Sequence, residues 1–462
     1  LSFIGLILVG TGLLLLPGSQ TERLAEQSFL DRLRVALFTA TSASCVTGLA
    51  VVPTGGSQAC WSRFGQVVIM LLFQIGGLGI MTIGTVFSLL IRKHLAVRES
   101  LAVAEVTEAM TIRDVRHLLL SILGFTLSFE AIGAVLLSTL WNDEPLAERL
   151  FLGAFHSISA FCNAGFALTE NSFTGMATMW QIWAVVCPLI VIGGFGFGTM
   201  TGLLKAMWHT LRDEREAGSL FRKRRLSERL PLSARIIVTT TVVLLISGTI
   251  VYGILETVGP HGDAPFTARI ADAWFQSVTF RTAGFNTVDL GGLQPSSKLI
   301  AILLMFIGAS PGSTGGGVKT VVFAVSLLGV SALLNGRPYL ECRGRMIPSE
   351  LLNRAVGILL LAGTTVIVAT LLICLFEQHP ERFLDHLFEA TSAAGTVGVS
   401  TGLRLPDGTV QSTTQSLSMP SRFVVIVAMF LGRVGPLTLL LALTGKQSTA
   451  RYEYPTDRVT LT

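Results

Sequence analysis

Four nine-residue stretches of this chain align without gaps, and each carries a glycine at its eighth position. These glycines lie 117, 119 and 114 residues apart. One such motif would mean little, because 47 of the 462 residues are glycine, but four at near-constant spacing indicate an internal repeat. The chain is therefore restricted to folds built from four similar units. The stretches are Thr41–Leu49, Ile158–Phe166, Ser277–Phe285 and Thr391–Val399.

Each glycine motif has the same sequence context. A long apolar segment comes first, then a polar break and a short stretch that ends at the motif, and then a second long apolar segment. The first segments are Leu1–Leu16, Leu118–Leu140, Ile236–Leu255 and Leu351–Leu375. The short stretches lie near Phe29–Ser44, Glu148–Phe161, Phe266–Phe280 and Glu381–Ala394. The second segments are Val67–Ile91, Gln181–Trp208, Leu299–Leu334 and Phe423–Leu443. We assign the repeats to residues 1–95, 96–215, 216–335 and 336–462, the last with the C-terminal tail.

The long apolar runs predict a membrane protein. Ile236–Leu255 and Leu351–Leu375, for example, reach the ~20 residues that a helix needs to cross ~30 Å of hydrocarbon. Only 14% of the residues are charged, against about 25% in soluble domains. A large soluble all-α core is the alternative, but it would need amphipathic stripes, and these runs have no polar face. Leu1–Leu16 could pass for the core of a signal peptide, yet the repeat requires it as a membrane helix.

The predicted fold is an all-α membrane protein whose four repeats each consist of a helix, a pore loop and a helix. Eight transmembrane helices and four re-entrant half-helices would stand pseudo-fourfold round one central pore. Irregular backbone at membrane depth is tolerated only where it is buried in protein or lines a watery cavity. Four such loops can meet round an axis, and each would line a quarter of the pore.

The residues that end at each glycine are predicted to form an ion filter. A dehydrated cation needs oxygen ligands, and rings of backbone carbonyls supply them in K⁺ filters. Glycine tolerates the backbone angles that aim successive carbonyls inward. Glycine in all four repeats favours K⁺ over Na⁺, and close helix packing is the alternative role of any one glycine. The predicted filter residues are Val46, Thr47, Gly48, Asn163, Ala164, Gly165, Thr282, Ala283, Gly284, Thr396, Val397 and Gly398.

A glycine-rich interruption in the third repeat predicts a gate. Gly308–Gly317 (GASPGSTGGG) breaks the second apolar segment of that repeat. It does not match a phosphate-binding loop, because Val318 separates Gly317 from Lys319 and no strand precedes it. A flexible break just below the filter can obstruct or open the path, and a passive kink is the alternative. The predicted gate residues are Gly308, Ala309, Ser310, Pro311, Gly312, Ser313, Thr314, Gly315, Gly316, Gly317, Lys319 and Arg433.

Three charged residues within apolar or motif segments have candidate roles of their own. Arg433 lies in the last apolar segment, where a cation costs at least ~2.5–3.5 kcal/mol. It would repel K⁺, hold loop carbonyls across the pore, or pair with a buried carboxylate. Glu130 lies mid-helix in the second repeat, either as a proton or ion site or as the anchor of a pore-loop group such as Arg281. Arg281 lies three residues before Gly284 and would brace the filter from behind, because a cation in the path would oppose conduction.

The distribution of basic residues predicts the orientation of the chain. Of 34 Lys and Arg residues, 21 fall in Arg92–Arg116, Lys205–Arg235, Arg337–Arg354 and Lys446–Arg458. By the positive-inside rule these linkers and the C-terminus are cytoplasmic. Arg222–Arg225 (RKRR) favours contact with anionic lipid headgroups over nucleic acid, because no stacking aromatics surround it. The six cysteines show no metal-ligand spacing.

The motifs FCNAGF, FRTAGF and GASPGSTGGGVKT resemble signatures of the Trk/Ktr/HKT superfamily of K⁺ transporters, and most of all its KtrB-type membrane subunit. The resemblance covers essentially the whole chain. It implies that Gly48, Gly165, Gly284 and Gly398 are filter glycines. It further implies that Gly308–Val318 is an intramembrane gating loop and that Arg433 sits against it.

The resemblance also implies partners and ions. A homodimer in the plasma membrane is expected, with one pore in each subunit. A cytosolic ring of KtrA-type regulatory subunits would bind ATP or ADP and set the state of the gate. K⁺ would be the transported ion, many such systems are stimulated by Na⁺, and no covalently bound cofactor is expected.

Two other functions compete with a gated K⁺ pore. A Na⁺-permeable member of the same superfamily is one, although a serine in place of Gly48 would have suggested it more strongly. An ion-coupled secondary solute transporter is the other, but four same-direction repeats differ from the two inverted halves of that class. No catalytic dyad, metal motif or cofactor fingerprint supports an enzyme.

Overall fold

The computed structural model describes residues 2–79, 82, 112–215, 230–257, 265–337, 339–404 and 410–435. These residues are mostly helical. The helices of the first two repeats are α1 Ser2–Leu14, α2 Phe29–Ser44, α3 Arg63–Gly79, α4 Ile112–Leu137, α5 Leu146–Cys162, α6 Cys187–Phe195 and α7 Phe197–Arg215. Those of the last two are α8 Leu232–Thr257, α9 Phe266–Thr279, α10 Pro295–Phe306, α11 Thr320–Leu334, α12 Ser349–Glu377, α13 Phe383–Ala394 and α14 Met419–Val434. A π-helical turn at Ile182–Val186 leads into α6, and short turns occur at Pro17–Ser19, Glu22–Ala25, Ser138–Trp141, Leu290–Gly292, Pro380–Arg382 and Thr413–Ser416.

The four short helices α2, α5, α9 and α13 lie where the sequence predicts half-helices. Three of them, α2, α5 and α9, begin at a residue suited to a helix start. The Ser28 hydroxyl accepts the Asp31 backbone N–H at the start of α2, and Pro145 and Pro265 precede the first turns of α5 and α9. The second half of each short helix is buried, whereas the first turn is more exposed. The short helices therefore carry the glycine motifs into the centre of the molecule.

Helix packing follows the order of the repeats. Within each repeat the first helix packs against the short helix, as α1 does against α2 and α12 against α13. Between repeats, a second helix packs against the short helix that follows it in the chain. Thus α6 contacts α9, α10 contacts α13, and α14 returns to α2.

The outer helices present apolar side chains on their exposed faces. Leu8, Ile132, Val243 and Leu360 are all more than half exposed. By length and apolar composition, Leu119–Trp141, Leu232–Thr257 and Ser349–Glu377 qualify as membrane spans within the described residues. Within the described residues, α1, α10 and α11 are shorter apolar helices, and the second segment of the second repeat is a bent pair. Parts of the predicted segments Val67–Ile91 and Phe423–Leu443 lie outside the described residues.

The second apolar segment of the second repeat differs from its prediction. Gln181–Trp208 is predicted as one continuous helix, but its two halves meet at Gly196 with a bend of 107°. Gly196 has φ +77° and ψ 149°, outside the helical region. In the last segment, α14 stops at Val434 and Gly435 has φ +86°, and residues 436–443 of the predicted segment lie outside the described residues. Glycine permits both reversals at low steric cost.

Two antiparallel hairpins interrupt the predicted all-α fold. Leu340–Cys342 pairs with Arg345–Ile347, and Gly402–Arg404 pairs with Val410–Ser412. The first lies in the basic linker Arg337–Arg354, and its turn residues Arg343 and Gly344 both have positive φ, as a two-residue type I′ turn requires. The RKRR segment lies outside the described residues.

Candidate functional site

The four motif glycines share one backbone conformation. Their φ angles are +98° at Gly48, +71° at Gly165, +87° at Gly284 and +95° at Gly398. These values lie in the left-handed half of conformational space, which glycine enters without a steric penalty. The residue two positions earlier also has positive φ in every repeat, and none of these residues is glycine: Val46 (+55°), Asn163 (+57°), Thr282 (+74°) and Thr396 (+47°).

The left-handed residue before each glycine belongs to the end of the short helix. In repeats 1, 2 and 4 the N–H of the next residue bonds to a helix carbonyl five positions back, at 2.8, 2.7 and 2.8 Å for Thr47, Ala164 and Val397. This is the Schellman pattern, which normally places glycine at the left-handed position. A β-branched residue with positive φ is an outlier, and such strain is concentrated at functional sites. The sequence alone gave no sign of it.

The four glycine loops meet one another in a closed ring. A Cβ built on Gly48 would lie 2.5 Å from the carbonyl oxygen of Ala164 in the second repeat. One on Gly165 would lie 3.0 Å from the Ala283 carbonyl oxygen, and one on Gly284 would lie 2.7 Å from that of Val397. A Cβ on Gly398 would collide with the Thr47 carbonyl, which closes the ring. Each glycine therefore faces the backbone carbonyl that precedes the next glycine, and no larger residue fits without displacing it.

A cavity of about 850 Å³, lined by both polar and apolar residues, opens on one side of the ring. We call it the vestibule. It is bordered by the four glycines and by the segments that follow them, including Phe166, Asn286 and Ser400. Among the described residues, its lining includes the carboxylates of Glu170 and Asp289 and no lysine or arginine. The backbone N–H and the hydroxyl of Ser57 both donate to Glu170, and these bonds hold the pKa of that carboxyl below its usual value.

The glycine-rich segment Gly308–Gly317, which we call the loop, lies on the opposite side of the ring. It connects α10 to α11, and the N–H of Gly308 donates to the Val318 carbonyl at 2.9 Å. A Cβ on Gly315 would collide with the hydroxyl of Thr282, and one on Gly316 with that of Thr396. The loop therefore lies directly against the left-handed residues of two of the glycine loops.

The bend in the second repeat forms a docking site for the loop. The Ser310 N–H donates to the Gly194 carbonyl at 3.0 Å, and the Thr314 N–H donates to the Gly193 carbonyl at 3.2 Å. These carbonyls are available because the helix breaks at Gly196 and cannot continue its own ladder. The sequence analysis did not predict this contact, although GGFGFG at 193–198 was a visible signal.

Two buried arginines and the partly buried Lys319 donate to backbone carbonyls of the loop. The Arg433 guanidinium donates to the Thr314 oxygen at 2.5 Å and to the Gly76 oxygen in α3 at 2.9 Å. Lys319 Nζ donates to the Gly315 oxygen at 2.7 Å, and Arg281 donates to the Gly308 oxygen at 3.2 Å. Of the roles considered for Arg433, the structure has it bonded to one loop carbonyl and to no carboxylate within the described residues.

The structure gives Glu130 and Arg281 different partners. The Glu130 carboxylate accepts the Gln74 amide at 2.9 Å and lies 3.9 Å from the Cys162 sulfur, so the motif residue that Glu130 contacts is Cys162 and not Arg281, the example offered by the sequence analysis. Arg281 donates instead to the Gly308 carbonyl at the start of the loop, at 3.2 Å. The pairing of Glu130 with Arg281 failed because Glu130 lies at the contact between the first and second repeats, whereas Arg281 bonds within its own repeat.

Sequence and structure comparisons identify relatives along the full length. The TrkH family, described as a cation transport protein, matches residues 12–452. The potassium/sodium uptake protein NtpJ of Enterococcus hirae is 33% identical over 99% of this chain and 95% of that protein. Ktr system potassium uptake protein B of Vibrio alginolyticus is 35% identical over 99% of this chain and 93% of that protein.

The fold also matches a solved structure. The potassium transporter TrkH from Vibrio parahaemolyticus superposes with a TM-score of 0.66 over 96% of this chain and 84% of that one, at 18% sequence identity. The family transports cations and is not a family of enzymes. Membrane-capable helices, the full-length family match and relatives above 30% identity agree, so this chain is a membrane protein that belongs to the TrkH family of cation transport proteins.

Proposed function

We propose that the chain takes up K⁺ through a pore whose filter is the ring of four glycine loops. In this proposal the repeats stand pseudo-fourfold round one axis. The carbonyl ligands come from the short segment of each repeat whose last residue is the motif glycine: Gly48, Gly165, Gly284 or Gly398. The observation that carries the proposal is the closed ring of contacts between each glycine and a carbonyl of the next repeat.

Carbonyl rings replace the hydration shell of K⁺ in known filters. The short helices add to this attraction, because each ends at its filter loop and the C-terminal end of a helix carries partial negative charge. The vestibule then supplies cations from one side, since its ionisable lining is acidic.

The choice of K⁺ follows from the relatives and from the glycines. One relative is named a potassium uptake protein, and it matches this chain over nearly its whole length. Glycine at all four filter positions leaves the carbonyls unobstructed by side chains. Na⁺ permeation is the second candidate, because the relative NtpJ is named for potassium and sodium uptake.

The loop is proposed as the gate of this pore. It lies against Thr282 and Thr396 just beyond the filter glycines, so ions leaving the filter would meet it. Contacts from the second repeat at Gly193 and from Arg433 hold it in place. Opening would require these bonds to break or to move together.

Control of the gate is proposed to come from other chains. Relatives named as members of Ktr systems suggest a multi-component assembly. We propose a homodimer in the plasma membrane, with cytoplasmic linkers and C-terminus contacting a KtrA-type ring that binds ATP or ADP. Na⁺ would act as an activator and not as the main transported ion.

Uptake of ⁸⁶Rb⁺ into proteoliposomes, with K⁺, Na⁺ or Cs⁺ as competitor, tests the proposal. We expect K⁺ to compete far more strongly than Na⁺. Equal competition by Na⁺ would replace the K⁺ assignment with the Na⁺-permeable alternative. No uptake in either nucleotide state of a reconstituted complex would contradict the pore itself.

A further inference from the structure

Two short helices carry a buried titratable side chain at the same position relative to the filter. His156 lies nine residues before Gly165, and Glu389 lies nine residues before Gly398. Both side chains are fully buried. The same position is Thr39 in the first repeat and Phe275 in the third. Burying a polar side chain costs free energy unless it is hydrogen-bonded, so the bonds of His156 and Glu389 show which segments these residues hold in place.

His156 fixes the chain just beyond Gly165. Its Nε2 accepts the backbone N–H of Leu168 at 3.2 Å. Because a backbone N–H can only donate, the ring proton is on Nδ1, which donates to the Leu152 carbonyl at 2.8 Å. The ring also stacks on Trp141 with centroids 5.0 Å apart. The imidazole therefore has one orientation and one tautomer.

Glu389 fixes the chain just beyond Gly398. Its carboxylate accepts the hydroxyl of Ser400 at 2.8 Å and also the hydroxyl of Thr414. The Thr414 N–H donates in turn to the Ser400 oxygen at 3.3 Å. Both Ser400 and Thr414 border the vestibule. A fully bonded buried network of this kind rigidifies the segments it joins.

The other two repeats lack such a bond at this position, although in the third repeat the Thr287 hydroxyl beyond Gly284 donates to Asp272 at 2.6 Å and accepts from Gln276 at 3.5 Å. The Thr39 hydroxyl has no hydrogen-bond partner among the described residues, and Phe275 has no polar group. Since the ring of contacts runs through the repeats in chain order, the second and fourth repeats face each other across it. His156 and Glu389 thus act on the two ends of one diagonal.

We propose that His156 and Glu389 are positioning residues that set the width of the filter along this diagonal, and so its discrimination among cations of different size. This inference rests on the proposed function of the ring as a filter. Neither side chain touches the path. Each holds the segment after a filter glycine, and the glycine carbonyls can then relax little when a smaller ion enters.

The test measures the potency of Na⁺, K⁺, Rb⁺ and Cs⁺ as competitors of ⁸⁶Rb⁺ uptake in proteoliposomes. His156→Phe keeps the stacked ring and leaves the Leu168 N–H unpaired. Glu389→Leu keeps the volume and removes both hydroxyl contacts. We expect each variant to lower the K⁺/Na⁺ potency ratio about fivefold, because an unmade buried hydrogen bond costs on the order of 1 kcal/mol.

Matched variants separate positioning from general damage. Thr39→Val changes the same position in the first repeat, where no bond exists, and is expected to keep the wild-type ratio. Glu389→Gln retains a hydrogen-bond acceptor, so its K⁺/Na⁺ potency ratio should be closer to that of the wild type than to that of Glu389→Leu. If an apolar variant does not give a monodisperse protein, Ser400→Ala removes the same bond from its other end. A wild-type ratio in folded His156→Phe and in folded Glu389→Leu or Ser400→Ala overturns the inference.

The competitor series also keeps the two proposals apart. Wild-type protein that does not discriminate K⁺ from Na⁺ contradicts the proposed K⁺ filter, whatever the variants do. The positioning inference would then still be judged by whether the variants change the order of competitor potencies, and an unchanged order would overturn it.

Discussion

Replacing Arg433 by alanine is the most direct test of the loop as a gate. Arg433 bridges two parts of the chain, because it donates at once to the Thr314 oxygen of the loop and to the Gly76 oxygen of α3. Its side chain is only 5% exposed, so water cannot easily replace either bond. Of the two bonds, the one to Thr314 holds the loop directly.

The expected size of the effect follows from that bond. A hydrogen bond from a charged donor contributes about 1.5–3 kcal/mol, and about 1.4 kcal/mol corresponds to a tenfold change in an equilibrium. If the closed state relies on the bond and the open state does not, Arg433→Ala should raise the open fraction about 10- to 100-fold. Basal ⁸⁶Rb⁺ uptake without regulatory subunits should rise by the same factor.

Arg422 provides the matched control. It lies in the same helix α14, and its guanidinium donates to the Gln415 carbonyl at 2.8 Å, away from the loop. Arg422→Ala should leave basal uptake unchanged. Unchanged uptake in a monodisperse Arg433→Ala protein would refute the reasoning and leave Arg433 structural. An equal rise in both variants would attribute the leak to general destabilisation.

Three further predictions concern the loop and the vestibule. Deleting Gly312–Gly317 should raise ⁸⁶Rb⁺ flux and weaken its dependence on the regulatory subunits; unchanged flux with full regulation would make the loop a passive kink. Gly196→Ala should raise basal uptake severalfold, because a Cβ there would lie 2.8 Å from backbone atoms of Pro311 and Gly312 and the φ of +77° disfavours alanine. Gly198→Ala is the control, because a Cβ at Gly198 would meet nothing within 4 Å. Equal uptake in the two variants would contradict the role of the bend at Gly196 as a docking site for the loop. Glu170→Gln should slow uptake at low ionic strength and not at high salt, because the carboxylate attracts cations over a screened distance. The Ser57 bonds lower the pKa of Glu170, so the carboxylate should stay ionised until the pH falls below the usual titration range of a glutamate. Wild-type uptake at low salt should therefore lose the acceleration due to Glu170 only below that range. A loss nearer neutral pH would count against Glu170 as the group that attracts the cations.

The half-helices were predictable because the signal is local. A polar break, a short apolar stretch and a glycine motif predict α2 at Phe29–Ser44, and the structure has the same bounds. The bend at Gly196 was not predictable, because glycines in an apolar run are equally compatible with close helix packing. The choice between a bend and a continuous helix depends on the loop, which lies more than a hundred residues later in the chain. The Ser310 and Thr314 N–H groups of the loop bond to the carbonyls that the bend releases.

The left-handed backbone of Val46 and Thr396 illustrates a second limit of the sequence. Local propensity argues against positive φ at a β-branched residue, so neither position would be chosen for a turn. The contacts of the ring impose it, because the helix must reverse at this point for the following carbonyl to face the next repeat. Thr47 accordingly faces Gly398, and Val397 faces Gly284. Strain here marks the site better than any residue type does.

The cations around the loop suggest that a gate of this kind would be electrostatic as well as steric. Arg281, Lys319 and Arg433 each donate to a loop carbonyl, and none forms an ion pair within the described part of the chain. Their charges lie on the side of the ring away from the acidic vestibule, so a cation that enters the filter would be repelled from the exit. Moving the loop aside while these side chains stay in place would leave that repulsion. We therefore expect opening to carry Lys319 away with the loop, since it lies two residues after the loop and donates to the Gly315 carbonyl. In a protein that lacks Gly312–Gly317, no loop carries Lys319 out of the path, and Lys319→Met should raise the uptake rate in that deletion background. If that substitution has no effect in the deletion background, the barrier is steric alone.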